Sequence, residues 1–438
     1  MEQKSSISTI SDSIQRMVVE DPGSAPRTGL GMPMTAFFLI AQMAGAGFLS
    51  LPKALANTGW IGIALMIIFC FMVGFSGTRL GLAWVILEER WPEYRGASRM
   101  PYMDIAERSL GKHGRRLALC CVLITIIGGT IVFLLLMAGF FNMGLVPSLS
   151  ICEWVLILGA VALPFTWLGT PKDFWQASII AVVATAIACI VIFVEILLEI
   201  DDYPDAYYQN PSIVSFSLGF GAILFAFGGA SVFPTIQNDM RDRTLFPKSV
   251  VIAFISLLSL YLPVAVAGYV VQGVDVQDNI LLSVDIDNPV IKAAIVMEIL
   301  NLFGTYLITF NPIGQTFEGL LKIEDKFGLP RILLRSGIVI FEVIVGLAVP
   351  DFGMILNLIG GSTVTLCTFV LPPLMYMKLV DMEKEPSWPE RSIPLWERIV
   401  LWEIIIVGVI GGIASTASAV MGIVTQSFGN TCFNHFYG

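Results

Sequence analysis

Long unbroken stretches of apolar residues alternate with short polar segments along almost the whole chain. Runs of roughly 20 residues, the length of helix that a hydrocarbon core of about 30 Å requires, fall near 33–56, 60–87, 116–145, 151–168, 175–199, 213–237, 249–273, 289–319, 333–349, 354–377 and 399–425. The pattern predicts an all-α polytopic membrane protein of about eleven transmembrane helices. The runs are continuous and rich in Leu, Ile, Val, Ala and Gly, which excludes the short alternating strands of a β-barrel. Two runs carry one unusual motif: Met43-Ala-Gly-Ala-Gly-Phe-Leu-Ser-Leu-Pro52 in the first and Phe225-Ala-Phe-Gly-Gly-Ala-Ser-Val-Phe-Pro234 in the sixth. Gly47 aligns with Gly229 and Pro52 with Pro234. Interruptions at the same place in corresponding halves of a membrane protein point to a substrate site between them.

Composition agrees with the pattern: of 438 residues 56% are hydrophobic and 13% charged, with a mean hydropathy of +0.80. Basic residues gather in cytoplasmic loops. With the amino terminus inside, 22 of the 25 Lys and Arg fall on inner segments, and only Lys53, Arg79 and Lys292 lie within or at the ends of spans. This division predicts a disordered cytoplasmic tail over 1–32, a transmembrane domain over 33–425 and an extracellular or luminal tail over 426–438. Within the domain, spans 1–5 cover about 33–199, spans 6–10 about 213–377 and span 11 about 399–425. Cys152 and Cys432 both fall on the oxidising side, and the sequence leaves open whether they pair. The net charge of −9 comes without a basic patch, so nucleic acid is not an expected partner. Two histidines, His113 and His435, both outside spans, leave no metal-binding spacing, and no cofactor is expected.

A glycine-rich break at membrane depth frees backbone groups that must line a cavity or bind something. In the first span, around Ala44, Gly45, Ala46, Gly47 and Phe48, the freed amides at the start of the outer half-helix suit a carboxylate. In the sixth, carbonyls between Ala226, Phe227, Gly228, Gly229, Ala230 and Ser231 suit an ammonium group. Together they describe a site for a zwitterion, with Phe227 as a candidate gate; close helix packing through the same glycines is the alternative. Ionisable groups inside spans are functional candidates. Glu298 lies about nine residues into span 8, roughly 14 Å deep, and Glu342 lies at a similar depth in span 9; each is a candidate for exchanging a proton, or else a hydrogen-bonded structural acid or one paired with Arg79. Glu195 reads as interfacial and Lys53 as snorkelling. Asn301, Thr305 and Thr309 share one helix face. Gly128, Gly129 and Thr130 form a small packing patch in span 3, and Tyr102 to Gly111 a short amphipathic helix at the cytoplasmic interface, read as a structural bracket rather than a regulatory element.

At these residues the chain resembles the amino acid/auxin permease family of the amino acid-polyamine-organocation group. One block is Gly45-Ala-Gly-Phe-Leu-Ser-Leu-Pro-Lys-Ala54 with Thr58-Gly-Trp60. Another is Phe225 to Met240, with its Pro-Thr-Ile-Gln-Asn-Asp-Met ending. The third is Ala348 to Gly361 with Leu371-Pro-Pro373. The resemblance implies the five-plus-five inverted repeat of LeuT-like proteins, with span 11 appended, and secondary active transport of an amino acid across the bilayer coupled to protons or sodium. Sodium-coupled members resemble one another in an asparagine and a missing proline where this chain has Ala41 and Pro52, which favours the proton-coupled branch. The histidine often found near span 1 in that branch is absent here, so Glu298 or Glu342 would carry the proton. Small neutral amino acids are the expected substrates, because few bulky or charged residues sit near the breaks. The alternatives are sodium coupling through Thr305, Thr309 and carbonyls near Ala41, or an amino acid sensor that does not transport. No set of nucleophile, base and orienting group can be assembled, so an enzyme is not expected.

Overall fold

A computed structural model describes residues 29–96, 98, 100–167, 175–202, 206–323, 327–383, 385–386, 388–427 and 431–433. Most of the expected 1–32 tail, part of the 426–438 tail, Arg99, Lys172, Asp205, Lys326, Lys384 and His435 lie outside the described residues.

The first span consists of three pieces: α1 (Met32–Met43), α2 (Ala46–Leu49) and α3 (Leu51–Thr58). Pro52 stands in the first turn of α3, where a missing amide hydrogen costs the helix nothing. Then come α4 (Ile61–Arg90), α5 (Pro101–Gly139) prolonged by a π turn over Phe140–Leu145, α6 (Ile151–Trp167) and α7 (Trp175–Leu198). The second half opens on another broken helix, α8 (Ile213–Ala226) and α9 (Phe233–Asn238), followed by α10 (Phe246–Gln272), α11 (Pro289–Leu320) and α12 (Leu329–Ala348). Its last span runs from α13 (Phe352–Ile359) through two π turns into α14 (Leu371–Val380), and α15 (Leu395–Gly422) is appended. A broken span followed by four more, twice over, is the five-plus-five arrangement. Among the described residues six helices are long and apolar enough to cross a membrane by themselves, and shorter apolar helices include both broken ones.

At the expected interfacial helix the structure agrees with the bracket reading and differs only in where the helix lies. Residues Pro101 to Leu110 are helical and run on into span 3, with the bend at Gly111, whose φ of 76° is the left-handed conformation that favours glycine. The face formed by Tyr102, Ile105 and Ala106 is fully buried, and the Tyr102 hydroxyl donates to the Cys367 carbonyl at 2.9 Å. This segment is a bracket against the last span of the second half rather than a helix lying in the bilayer surface, because its apolar stripe finds protein to cover it.

The two broken spans cross at the centre. The later piece α3 packs along α8, while the first piece α1 packs against α7, α9 and α10. Just before α1, Leu30 forms an isolated parallel bridge with Met240, beyond α9: the Leu30 amide donates to the Asp239 carbonyl at 2.8 Å and the Arg241 amide to the Leu30 carbonyl at 3.0 Å. On the opposite side Cys152 and Cys432 are joined in a disulfide, with their Cα atoms 5.5 Å apart. The bond ties the start of α6 to the segment after α15.

Candidate functional site

The break in the first span is confined to Ala44 and Gly45, with ψ 85° at the first and φ −155°, ψ −132° at the second. It is shorter than the expected stretch from Ala44 to Phe48, because Ala46 to Leu49 resume helical geometry as α2. The last carbonyl of α1, that of Met43, accepts from the Tyr261 hydroxyl of α10 at 3.0 Å. In the sixth span the chain leaves the helix from Phe227 to Val232. Turn bonds occupy two of the freed carbonyls there: Val232 donates to Gly229 at 3.1 Å and Phe233 to Ala230 at 3.3 Å.

The glycines divide by what surrounds them. A methyl group on Gly47 would sit 2.5 Å from the Cα of Ala226, and one on Gly229 would sit 2.7 Å from the Cγ of Met43. A methyl on Gly228 would collide with Val364. Gly47 and Gly229 account for themselves by close approach of the two broken spans, and Gly228 by close approach of the last span of the second half. Gly45 differs, since a methyl there would meet only the Phe133 ring, at 3.6 Å. Ser231 is half-buried, whereas Ala46, Phe48, Ala226, Phe227 and Ala230 are buried. Phe227 lies beside Phe254 and Tyr261, and Tyr261 stacks on Phe48, so rings from both breaks meet at one tyrosine. Gly47→Val is expected to separate the broken spans and lower transport at least tenfold, about 1.4 kcal/mol in barrier terms. Uptake per molecule of correctly inserted protein measures this, and near-normal uptake would mean the contact is dispensable.

The two candidate acids sit in different surroundings. Glu342 of α12 accepts from the Thr130 hydroxyl of α5 at 2.7 Å and from the Tyr306 hydroxyl of α11 at 2.7 Å. Glu298 of α11 is 0% exposed and neither of its oxygens has a hydrogen-bond partner among the described residues. The Asn301 side chain stands beside it, and Cys189 of α7 and Tyr261 lie within electrostatic range. Arg79 pairs with neither acid; it forms an ion pair with Glu397 at 2.7 Å. Lys53 does not snorkel: its ammonium donates to the carbonyls of Val276 at 2.8 Å and Val274 at 3.4 Å, which ties α3 to the loop after α10. Glu195 accepts from the Asn288 side chain at 3.0 Å.

Asn301, Thr305 and Thr309 do share one face, and with Ala41, Gln42 and Thr235 they line a cavity of about 460 Å³ between α1, α9 and α11. Thr305 donates to the Asn301 carbonyl at 2.9 Å, while the Thr309 hydroxyl has no partner among the described residues. Thr130 holds Glu342, and Gly128 packs on Ile359. Sequence reasoning missed Tyr261, one aromatic residue in an apolar run with no motif around it. It also missed a buried charge cluster in which Glu318 of α11 receives Arg335 of α12 at 2.7 Å and Arg331 at 3.3 Å. Arg335 donates further to the Thr166 carbonyl at 2.8 Å and to the Asn311 side chain at 3.2 Å. A second acid near the end of span 8, followed by two arginines four residues apart at the start of the next helix, was the available signal.

The sequence profile of the family described as transmembrane amino acid transporter protein matches residues 28–421. The chain belongs to this family. It is the family that the three motif blocks resemble. This transmembrane amino acid transporter family member is 24% identical over 395 residues to amino acid transporter AVT1C of Arabidopsis thaliana, covering 88% of this chain and 68% of that protein. To lysine histidine transporter-like 6 of the same plant it is 27% identical over 419 residues, covering 90% and 91%. A crystal structure of the Eremococcus coleocola manganese transporter aligns with a TM-score of 0.56 and 15% identity over 93% of this chain and 92% of that one, a likeness of fold. The family member is thus a multi-pass integral membrane protein built as a transporter, not an enzyme.

Proposed function

We propose that the protein is a secondary active symporter that moves a small neutral amino acid together with a proton by alternating access. In this reading the substrate carboxylate meets the amides at the start of α2, its ammonium meets the carbonyls left free between Phe227 and Ser231, and the small residues around Gly45 give it room. The relatives' names support the amino acid, and the crossing of two broken spans supports the position of the site. The observation that carries proton coupling is the Glu298 carboxyl: a buried ionisable group with no partner among the described residues is costly in a membrane unless it is used. The orientation adopted puts the start of α1 and the end of α9 at the cytoplasm. Sodium coupling is the second reading, favoured by the cavity that brings Ala41 together with Thr305 and Thr309, all sources of the hard oxygen ligands a sodium ion takes.

The test is uptake of radiolabelled alanine, glycine and proline into proteoliposomes under an imposed pH gradient or an imposed sodium gradient. Accumulation driven by the proton gradient alone is the expected result. Accumulation driven only by sodium would overturn proton coupling, and no uptake under either gradient would overturn symport of these substrates.

A further inference from the structure

We propose that Asn301 is the positioning residue through which Glu298 exchanges its proton with water in the cavity between α1, α9 and α11. The inference rests on the proton-coupled reading above and adds the route. Glu298, Asn301, Thr305 and Thr309 stand at positions i, i+3, i+7 and i+11 of α11, so they form one stripe that descends roughly 16 Å along the helix. Four polar atoms on this stripe lack a partner among the described residues: both oxygens of Glu298, Oδ1 of Asn301 and Oγ1 of Thr309. Their residues are 0%, 9% and 6% exposed. A buried polar atom left unpaired costs about 1–3 kcal/mol, so a row of them on one helix face calls for water to complete their hydrogen bonds.

The cavity reaches Asn301 but is not lined by Glu298. Asn301 therefore stands between the acid and the space that water can enter. Its amide nitrogen donates to the Thr185 hydroxyl of α7 at 3.3 Å, which fixes the plane of the side chain and leaves Oδ1 as an acceptor. A water held on Oδ1 can receive the proton of Glu298: the carboxyl O–H bond breaks, a bond to the water oxygen forms, and the resulting hydronium passes its proton down the stripe past Thr305 and Thr309. The reverse sequence reloads the acid. The titratable neighbours that face Glu298 are Cys189 and Tyr261, neither of them a charge that would hold the carboxylate in place. Tyr261 also bonds the Met43 carbonyl at the break, so the acid adjoins the substrate site on one side and the water route on the other.

The experiment uses the full-length protein in proteoliposomes loaded with a pH-sensitive dye, with a mixture of radiolabelled alanine, glycine and proline outside. Two rates are read for each variant: proton entry on addition of the amino acids, and exchange of amino acids at equal concentrations, which never requires the carrier to release its proton. Asn301→Leu is expected to lower proton entry at least tenfold, about 1.4 kcal/mol, and by a larger factor than it lowers exchange. Asn301→Asp, which again offers an acceptor to water, is expected to restore most of the proton entry and to move its pH optimum. If Asn301→Leu lowers both rates by one factor, or Asn301→Asp fails to restore proton entry, Asn301 serves packing only and the proposal falls. Wild-type exchange without any proton entry would instead sink proton coupling itself, and proton-independent entry that follows sodium would make the cavity a cation site.

Discussion

Glu298→Gln is expected to abolish accumulation of amino acid against a gradient while exchange across the membrane continues. The glutamine is close to an acid that never gives up its proton. A symporter must release the proton before the empty carrier can return, so net uptake stops at that step, whereas exchange cycles only the loaded form and avoids it. The expected loss in concentrative uptake is at least a hundredfold, about 2.7 kcal/mol on the limiting barrier. Glu342→Gln is the control. Its carboxylate is already held by hydroxyls from Thr130 and Tyr306, so a neutral side chain there disturbs two hydrogen bonds, each worth about 0.5–1.5 kcal/mol, and concentrative uptake survives. Equal losses in the two variants, or full accumulation in Glu298→Gln, would remove Glu298 from the coupling step.

Glu318→Ala is expected to cause the largest loss of stability of any single change considered. Glu318 is the carboxylate between Arg335, 1% exposed, and Arg331, 6% exposed. Removing it takes the buried carboxylate away from both guanidinium groups, and deleting one partner of a buried pair costs about 3–5 kcal/mol. The hydrogen bonds from Arg335 to Thr166 and Asn311 remain and cannot neutralise the charge. Thermal unfolding in detergent, followed by size-exclusion chromatography, reads the effect as a melting temperature lowered by many degrees. Adding Arg335→Met to the same chain is expected to recover part of the loss, because the guanidinium most deeply buried against Glu318 is gone. A double variant no better than the single one would show that Arg335 is held by its other partners and that the ion pair contributes little.

The fold was legible because its determinants are local. A span announces itself by length and hydropathy, and the two breaks announce themselves by glycines ahead of a proline, which is why α1 to α3 and α8 to α9 could be placed from the sequence. The candidate site was legible only in outline. Gly47 and Gly45 look alike in the sequence, yet one faces the backbone of Ala226 and the other only the Phe133 ring, a distinction set by how distant helices pack on the first span. Glu298 and Glu342 were equivalent as buried acids. What separates them is the presence of Thr130 and Tyr306 beside one, and these come from two other helices. Lys53 was assigned to the membrane surface because a lysine near a helix end can usually reach it; the carbonyls of Val274 and Val276, more than 200 residues away, offered a nearer partner. Tyr261 depends likewise on a contact between distant spans, which no periodicity records, whereas the Glu318 cluster joins consecutive helices.

The short bridge between Leu30 and Met240 has a consequence for the idle protein. Any motion that separates α1 from α9 on that side breaks both of its backbone hydrogen bonds. At about 0.5–1.5 kcal/mol net for each, the pair biases the closed arrangement by roughly 5 to 150 fold. In the transport reading proposed above, an empty carrier is thereby biased to rest shut on this side. The two hydrogen bonds of such a clasp are made by main-chain atoms, so they leave no trace in side-chain identity.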